Sequence, residues 1–206
     1  MTRLSSAERR SVLVQAALRV IERDGVHGAT TRAIVAEAGM SLASFHYAFR
    51  SRDEMIRELV AFVVENERLA ASASLRAGSD IRTVVRAGLQ AYFDLVVAEP
   101  HREQAMFELL HYALRTEELG DLPRVQYESY HRVAGEVLEA GAALAEVNWS
   151  IPLDQLSRLL VTLTDGITLG WLADRDTAAA GITMDFAADT IAAFADPSPQ
   201  LKEHVQ

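Results

Sequence analysis

Apolar residues recur along this chain at spacings of three and four, in helix-length runs separated by glycine, proline and capping residues. Ser5 followed three positions later by Glu8 is a capping box. Val12, Ala16, Leu18, Val20 and Ile21 then carry the apolar stripe of a first helix, which Gly25 closes as a C′ glycine. Thr30 is the N-cap of a short second helix that runs through Ile34 and Val35 to Ala38 and stops at Gly39. Ser41 opens a third through Leu42, Ser44 and Phe45 to Tyr47. A second box, Ser51 with Glu54, opens a long fourth helix through Met55, Leu59, Phe62 and Val63 to Arg76.

Gly78-Ser79-Asp80 interrupts the pattern. A fifth helix is predicted over Ile81–Ala98, ended by Glu99-Pro100, and a sixth over His101–Arg115, ended by Leu119-Gly120. A seventh starts near Pro123, which suits an N1 position, and runs to Ala145. Asn148–Pro152 reads as a loop into an eighth helix over Pro152–Ala173, and a ninth covers Thr183–Phe194. Pro197 and Pro199 then break the chain, and Leu201–Gln206 reads as frayed. No strand alternation of useful length and no internal repeat interrupts this series. The expected fold is all-α, about nine helices, with three short ones leading into a larger body. The expected division is 1–52 and 53–206. No Pro- or Ser-rich linker separates the two, so the chain reads as one continuous molecule.

Thr30 to Phe49 is helix, glycine-bearing turn, helix: the layout in which the second helix enters the DNA major groove and the first crosses the backbone. Gly39 supplies the turn conformation, and the small Ala36 and Ala38 permit close packing. Ile34, Phe45 and Phe49 are the expected core beneath the two helices. Ser41, Leu42, Ala43, Ser44, His46 and Tyr47 are the expected reading positions. Ser and His reach base edges or phosphates, while Leu42 and Ala43 suit thymine methyl groups. The helix holds no Arg for guanine, so part of its specificity would be indirect or water-mediated.

Charge changes this picture. The chain is 206 residues long with a formal charge of −9, which taken whole argues against nucleic acid as a partner. Up to Arg57, however, nine arginines (Arg3, Arg9, Arg10, Arg19, Arg23, Arg32, Arg50, Arg52 and Arg57) face six acidic residues, a net +3. The remainder carries −12. The asymmetry reads as a basic module joined to an acidic body, with a chance fluctuation of charge as the alternative. Lys202 is the only lysine; arginine suits bidentate phosphate or guanine contacts, and coding bias is the alternative reason for its use. The absence of cysteine excludes disulfide scaffolds, thiolate catalysis and Cys-ligated zinc or iron–sulfur sites. No transmembrane run and no secretory leader is visible, so a cytoplasmic location is expected.

The run TTRAIVAEAGMSLASFHYAFRSRDEMI, preceded by Ala16-Ala17-Leu18, Val20-Ile21 and Asp24-Gly25, resembles the DNA-binding domain of the TetR family of bacterial transcriptional regulators over residues 10–56. The body resembles the family less closely, through helix order and the run LTDGITLGWLADRD. Thr30, Thr31, Arg32 and Arg52 join the reading positions as the DNA contacts this resemblance implies. His46 stands where the family most often has Tyr, Ala48 replaces a frequent His, and Arg52 replaces a frequent Lys beside a helix N-terminus. Arg52 is therefore expected on a phosphate. For Arg3, Arg9 and Arg10, a solvated helix start and a backbone contact stand side by side.

The resemblance implies that the body binds a small-molecule effector and forms a homodimer. Leu153, Leu156, Leu160, Leu163, Ile167 and Gly170 recur at coiled-coil-like spacing, with Thr162, Gly166 and Gly170 offering small surfaces, and Phe186, Ile191 and Phe194 add to them. The expected dimer residues are Leu156, Leu160, Leu163, Ile167, Gly170, Phe186, Ile191 and Phe194; the alternative is that the same stripe is intramolecular core. Phe62, Phe93, Met106, Phe107, Leu110, His111, Tyr127, Tyr130 and His131 are the aromatic, Met and polar set expected at an effector pocket. Asp165, in an apolar helix, reads as buried with a partner or as part of an interface. His111 and His131 lack metal-ligand spacing, so no metal or cofactor is expected.

The implied function is a ligand-responsive transcriptional regulator, a repressor, which binds a palindromic operator as a homodimer and is released by its effector. An all-helical enzyme fits poorly: HExxH, GxSxG and P-loop patterns are absent. A helical protein–protein adaptor that answers to no small molecule is the remaining alternative.

Overall fold

In a computed structural model of the chain, residues 5–73, 75 and 78–197 are described. Arg3, Arg76, Pro199, Lys202 and the tail Leu201–Gln206 lie outside the described residues. The helices are α1 (Ser6–Gly28), α2 (Thr31–Glu37), α3 (Leu42–Ala48), α4 (Arg52–Ala73), α5 (Ile81–Ala98), α6 (Pro100–Ala113), α7 (Leu122–Leu144), α8 (Leu153–Asp174) and α9 (Thr177–Ala192). A 3-10 turn, Glu117–Leu119, precedes α7.

Local capping explains where the first helices begin. The Ser5 hydroxyl accepts the Glu8 amide at 3.2 Å, and the Glu8 carboxylate accepts the Ser5 amide at 2.7 Å. Thr30 and Ser41 accept the amides of Ala33 and Ser44, each at 3.2 Å. Ser51 takes the Glu54 amide at 3.1 Å, but Glu54 reaches back to the Arg50 amide at 2.8 Å, one residue before the cap.

Three expectations are corrected. Gly25 breaks α1 at φ 75°, ψ 172°, yet the helix resumes for one more turn to Gly28. α9 begins at Thr177, six residues before the predicted start. Ala178–Gly181 shows no apolar periodicity, but Asp176 accepts the Ala179 amide at 2.9 Å and alanine needs no packing partner to favour helix. Two three-residue strands also form, β1 (Val147–Trp149) and β2 (Ala195–Pro197), antiparallel with Asn148 opposite Asp196. They are too short to show alternation in sequence, and their partner lies almost fifty residues away.

Contacts divide the chain into two units. Met1–Val63 with Glu99–Tyr127 forms one, and Val64–Ala98 with Glu128–Gln206 the other; the chain passes between them within α4, between α5 and α6, and within α7. In the first unit α1 packs on α2, α3 and α6, over a core that includes Leu13, Val20, Ile34, Phe45, Phe49, Met55 and Leu109. The rings of Phe45 and Phe49 lie 5.6 Å apart. In the second unit α5, α8 and α9 enclose Leu89, Phe93, Leu156, Ile167, Trp171, Met184 and Ile191. Phe93 meets Trp171 edge-on at 5.7 Å. Tyr92 and Thr168 share a hydroxyl hydrogen bond of 2.9 Å, and Arg86 pairs with Asp185 at 2.8 Å on the rim.

Candidate nucleic-acid interface and effector segment

α3 has one face in the core and one in solvent. Phe45 and Ala48 are buried, and Ile34 and Val35 bury the facing side of α2. Leu42 (42% exposed), Ala43, His46 and Tyr47 (70% exposed) therefore stand on a common outer face. Gly39 turns the chain at φ 63° with open space around its Cα, so conformation and not room selects glycine there. Thr30, Arg32 and Ser41 are also exposed, while Thr31 and Ser44 are half-buried. The Arg9 guanidinium lies 4.8 Å over the Tyr47 ring.

The basic surplus is largely consumed inside the first unit. Arg10 donates to Glu58 at 2.8 Å, to Glu54 at 3.0 Å and to the Ala48 carbonyl at 2.5 Å, and stacks on Phe49. Arg19 and Arg23 both pair with Glu37, at 2.8 and 3.0 Å, and hold its carboxyl below the usual range. Arg57 pairs with Asp121 and lowers that carboxyl likewise. Arg52, expected on a phosphate, spends its guanidinium on the Ala29 and Val26 carbonyls, at 2.8 and 2.7 Å. Carbonyls at the end of α1 need donors, and Arg52, the first residue of α4, meets them. Among the described residues up to Arg57, Arg32 and Arg50 are exposed and form no ion pair.

Two features of α6 face α1. The Glu108 carboxylate accepts the Val26 amide at 2.8 Å, and Tyr112 meets His27 edge-on at 5.2 Å. Near the start of α6, Arg102 and Glu103 are buried together and paired at 3.1 Å, with Glu99 on the other arm of the guanidinium at 2.5 Å. Burial outweighs the arginine and pushes the Glu103 carboxyl up.

The expected effector residues fall in both units. Phe62, Met106, Phe107, Leu110, His111 and Tyr127 belong to the first; Phe93, Tyr130 and His131 belong to the second. Phe93 and Met106 are core residues, 1% and 4% exposed. His111 is exposed and bonds to the Phe107 carbonyl of its own helix at 2.8 Å. Within the second unit an open groove of about 340 Å³ is lined by His131, Arg132, Gly135, Glu136, Glu139, Leu153, Asp154 and Ser157. Desolvation and then Arg158 lower the His131 pKa against an opposing pull from Asp165. Of the expected effector residues, only His131 lines this groove.

The coiled-coil-like stripe divides in a similar way. Leu156, Ile167 and Ile191, expected at a dimer interface, lie in the chain's own core, and Leu160, Leu163 and Phe194 pack half-buried against it. The 3–4 spacing marks the face that α8 turns toward α5 and α9. Gly170 and Phe186 are exposed. Sequence reasoning did not single out their exposed neighbours Leu169 and Ile182, which with Thr162 and Gly166 complete an apolar, small-residue face on α8 and α9. The signal available was position: Leu169 and Ile182 each fall off the apolar stripe of their helix.

Comparison with known proteins bears on both segments. The family described as "Bacterial regulatory proteins, tetR family" matches residues 13–59, and the family described as "BetI-type transcriptional repressor, C-terminal" matches residues 81–196. The HTH-type nicotine-responsive transcriptional repressor HdnoR of Paenarthrobacter nicotinovorans is 30% identical over 172 residues, 84% of this chain and 88% of that protein. The crystal structure of a transcriptional regulator from Rhodococcus sp. Rha1 has a TM-score of 0.70 at 20% identity, covering 92% of this chain and 99% of that one. The fatty acid degradation regulator FadR from Bacillus halodurans has a TM-score of 0.68 at 14% identity, with 93% and 97% covered. At these identities the two structures share the fold with this chain. Among the described residues no helix is long and apolar enough to cross a membrane.

Proposed function

The chain belongs to the TetR family of bacterial regulatory proteins, and from that premise we propose that it represses transcription as a homodimer on a two-half-site operator and leaves it when a small molecule binds. The protein is a DNA-binding transcriptional regulator with a repressor-type C-terminal segment, not an enzyme. The observation that carries the reading is the outer face of α3, where Leu42 and Tyr47 stand exposed over a helix whose other side is buried by Phe45. Exposed large side chains gathered on one face of a well-packed helix, beside polar Ser41 and His46, are what a contact surface presents.

In this reading residues 1–52 are the reading domain and 53–206 the effector and dimer domain. Leu42, Ala43, Ser44, His46 and Tyr47 enter the major groove. Thr30, Thr31, Arg32 and Ser41 meet the phosphates that flank it, at the N-termini of α2 and α3. Arg52 positions the reading helices through the end of α1. Exposed α8 and α9, with Gly166, Leu169, Gly170, Ile182 and Phe186, pair with the same face of a second copy. Two reading heads then address half-sites about 34–36 Å apart. The effector must bind the released state more tightly than the DNA-bound state, since a ligand of equal affinity for both moves nothing. Nicotine-like nitrogen heterocycles, suggested by the relative's name, are the first class to screen.

The test is selection of duplexes from a random pool by the full chain, followed by fluorescence anisotropy on the winner. The expected winner is an inverted repeat with half-site centres about 10 base pairs apart. Tyr47→Ala is expected to weaken binding about tenfold or more while leaving the melting temperature unchanged. A selection that enriches no sequence, or a Tyr47→Ala variant that binds as tightly as wild type, refutes the reading.

A further inference from the structure

Besides the Arg57–Asp121 pair, a part-buried polar contact at the break in α1 joins the two segments that the families match separately. Glu108 lies within 81–196 and Val26 within 13–59. The Glu108 carboxylate, on α6, accepts the Val26 amide at 2.8 Å. That amide is the first after Gly25, where the backbone leaves helical geometry. An ionised acceptor makes the bond charge-assisted. The approach is close: a Cβ on residue 25 would stand 2.9 Å from the Glu108 Oε1. The positive φ selects glycine, and any Cβ there would also push the Glu108 carboxylate off the Val26 amide.

The far side of the same short segment is held as well. The carbonyls of Val26 and Ala29 accept from Arg52 of α4, and the next residue, Thr30, caps α2. Tyr112, one turn beyond Glu108, lies 5.6 Å under the Arg52 guanidinium and meets the His27 ring. Residues 26–30 lead into α2, which Thr30 caps, and they sit between α6 and the first turn of α4. Apolar packing of α1 on α6 is non-directional. A hydrogen bond at 2.8 Å fixes both distance and angle.

We propose that Glu108 is a positioning residue for DNA recognition: its carboxylate holds the break in α1 through the Val26 amide and thereby fixes the segment from which α2 starts. The proposal rests on the reading of α3 as the DNA-contacting helix. It gives a role in DNA recognition to a residue of α6 that lies outside the reading face.

The experiment uses the full chain as wild type, Glu108→Ala and Glu108→Gln. Amide hydrogen exchange is followed at Val26, α2 and the α5, α8 and α9 core. Binding is followed by anisotropy on a duplex selected from a random pool by the wild type. Glu108→Ala is expected to speed Val26 exchange and weaken duplex binding, each by about tenfold, as for loss of a hydrogen bond to a charged group. Core amides are expected to be unchanged. Glu108→Gln keeps an acceptor and the side-chain volume, and is expected to fall between the two; if Glu108→Ala melts early, the same ordering in Glu108→Gln decides. Unchanged Val26 exchange in Glu108→Ala overturns the proposal. So does faster exchange with duplex affinity within about twofold of wild type. A wild type that enriches no sequence overturns the DNA reading and the proposal with it. That failure is told apart because the exchange measurement uses no DNA.

Discussion

The salt dependence of DNA binding follows from which arginines are already occupied. Each phosphate neutralised releases counterions, and the logarithm of the binding constant falls with the logarithm of salt at a slope of about −0.9 per contact on duplex DNA. Of the arginines up to Arg57, Arg10, Arg19, Arg23, Arg52 and Arg57 are tied to carboxylates or carbonyls within their own unit. Arg32 and Arg50 of two protomers, four charges in all, set a slope of about −4. If all eight described arginines of this region reached phosphates in both protomers, the slope would be about −14. Anisotropy titrations of a selected duplex across a range of KCl concentrations separate these values. Arg32→Ala is expected to reduce the magnitude of the slope by about 2, one contact per protomer. A wild-type slope steeper than about −8 would mean that the internal ion pairs open on DNA, and the assignment of those arginines to the fold would be wrong.

Three further outcomes are expected. Phe45→Ala, which empties the centre of the reading head's core, is expected to cost about 3–5 kcal/mol by denaturant titration; a cost below about 1 kcal/mol would contradict the packing described. Phe186→Glu, at a position 67% exposed on α9, is expected to leave helicity intact and yield a monomer by native mass spectrometry; a persisting dimer removes this face from the interface. Glu103 tests a pH linkage. Its carboxyl is raised in the fold, chiefly by burial, so the unfolded chain gives up that proton first. The stability of the wild type relative to Glu103→Gln is therefore expected to fall as pH rises from about 4.3 through the higher folded value, and to level off beyond it. Urea titrations at a series of pH values measure the gap, and a gap that is constant, or that grows in favour of the wild type as pH rises, contradicts the assignment.

Much of this protein is written in short-range signals. Ser5 with Glu8, Thr30 and Ser41 act within three residues and form the caps their spacing predicts, while Ser51 takes the Glu54 amide but Glu54 turns to the Arg50 amide and leaves the second box half made. The outward positions of α3 follow from the inward ones, because a seven-residue helix with Phe45 buried has little freedom about its axis. The start of α9 escaped because an alanine run has no periodicity to read, although its cap, Asp176, was in plain view.

The sequence by itself determined the helical series, the reading helix and the basic surplus of the first quarter, since caps, periods and charge counts depend on neighbours in the chain. Tertiary structure alone decided which of those charges remain outside. Arg10 meets Glu58 across 48 residues, and Glu108 meets Val26 across 82. It also decided which stripe of α8 is core and which is surface. Leu156 and Leu169 are both leucines on one helix, and only the arrival of α5 and α9 on one side buries the first and leaves the second in solvent. Apolar burial is set by which surface a helix meets, and hydrogen bonds by which atoms come within reach; neither is a property of residues adjacent in sequence.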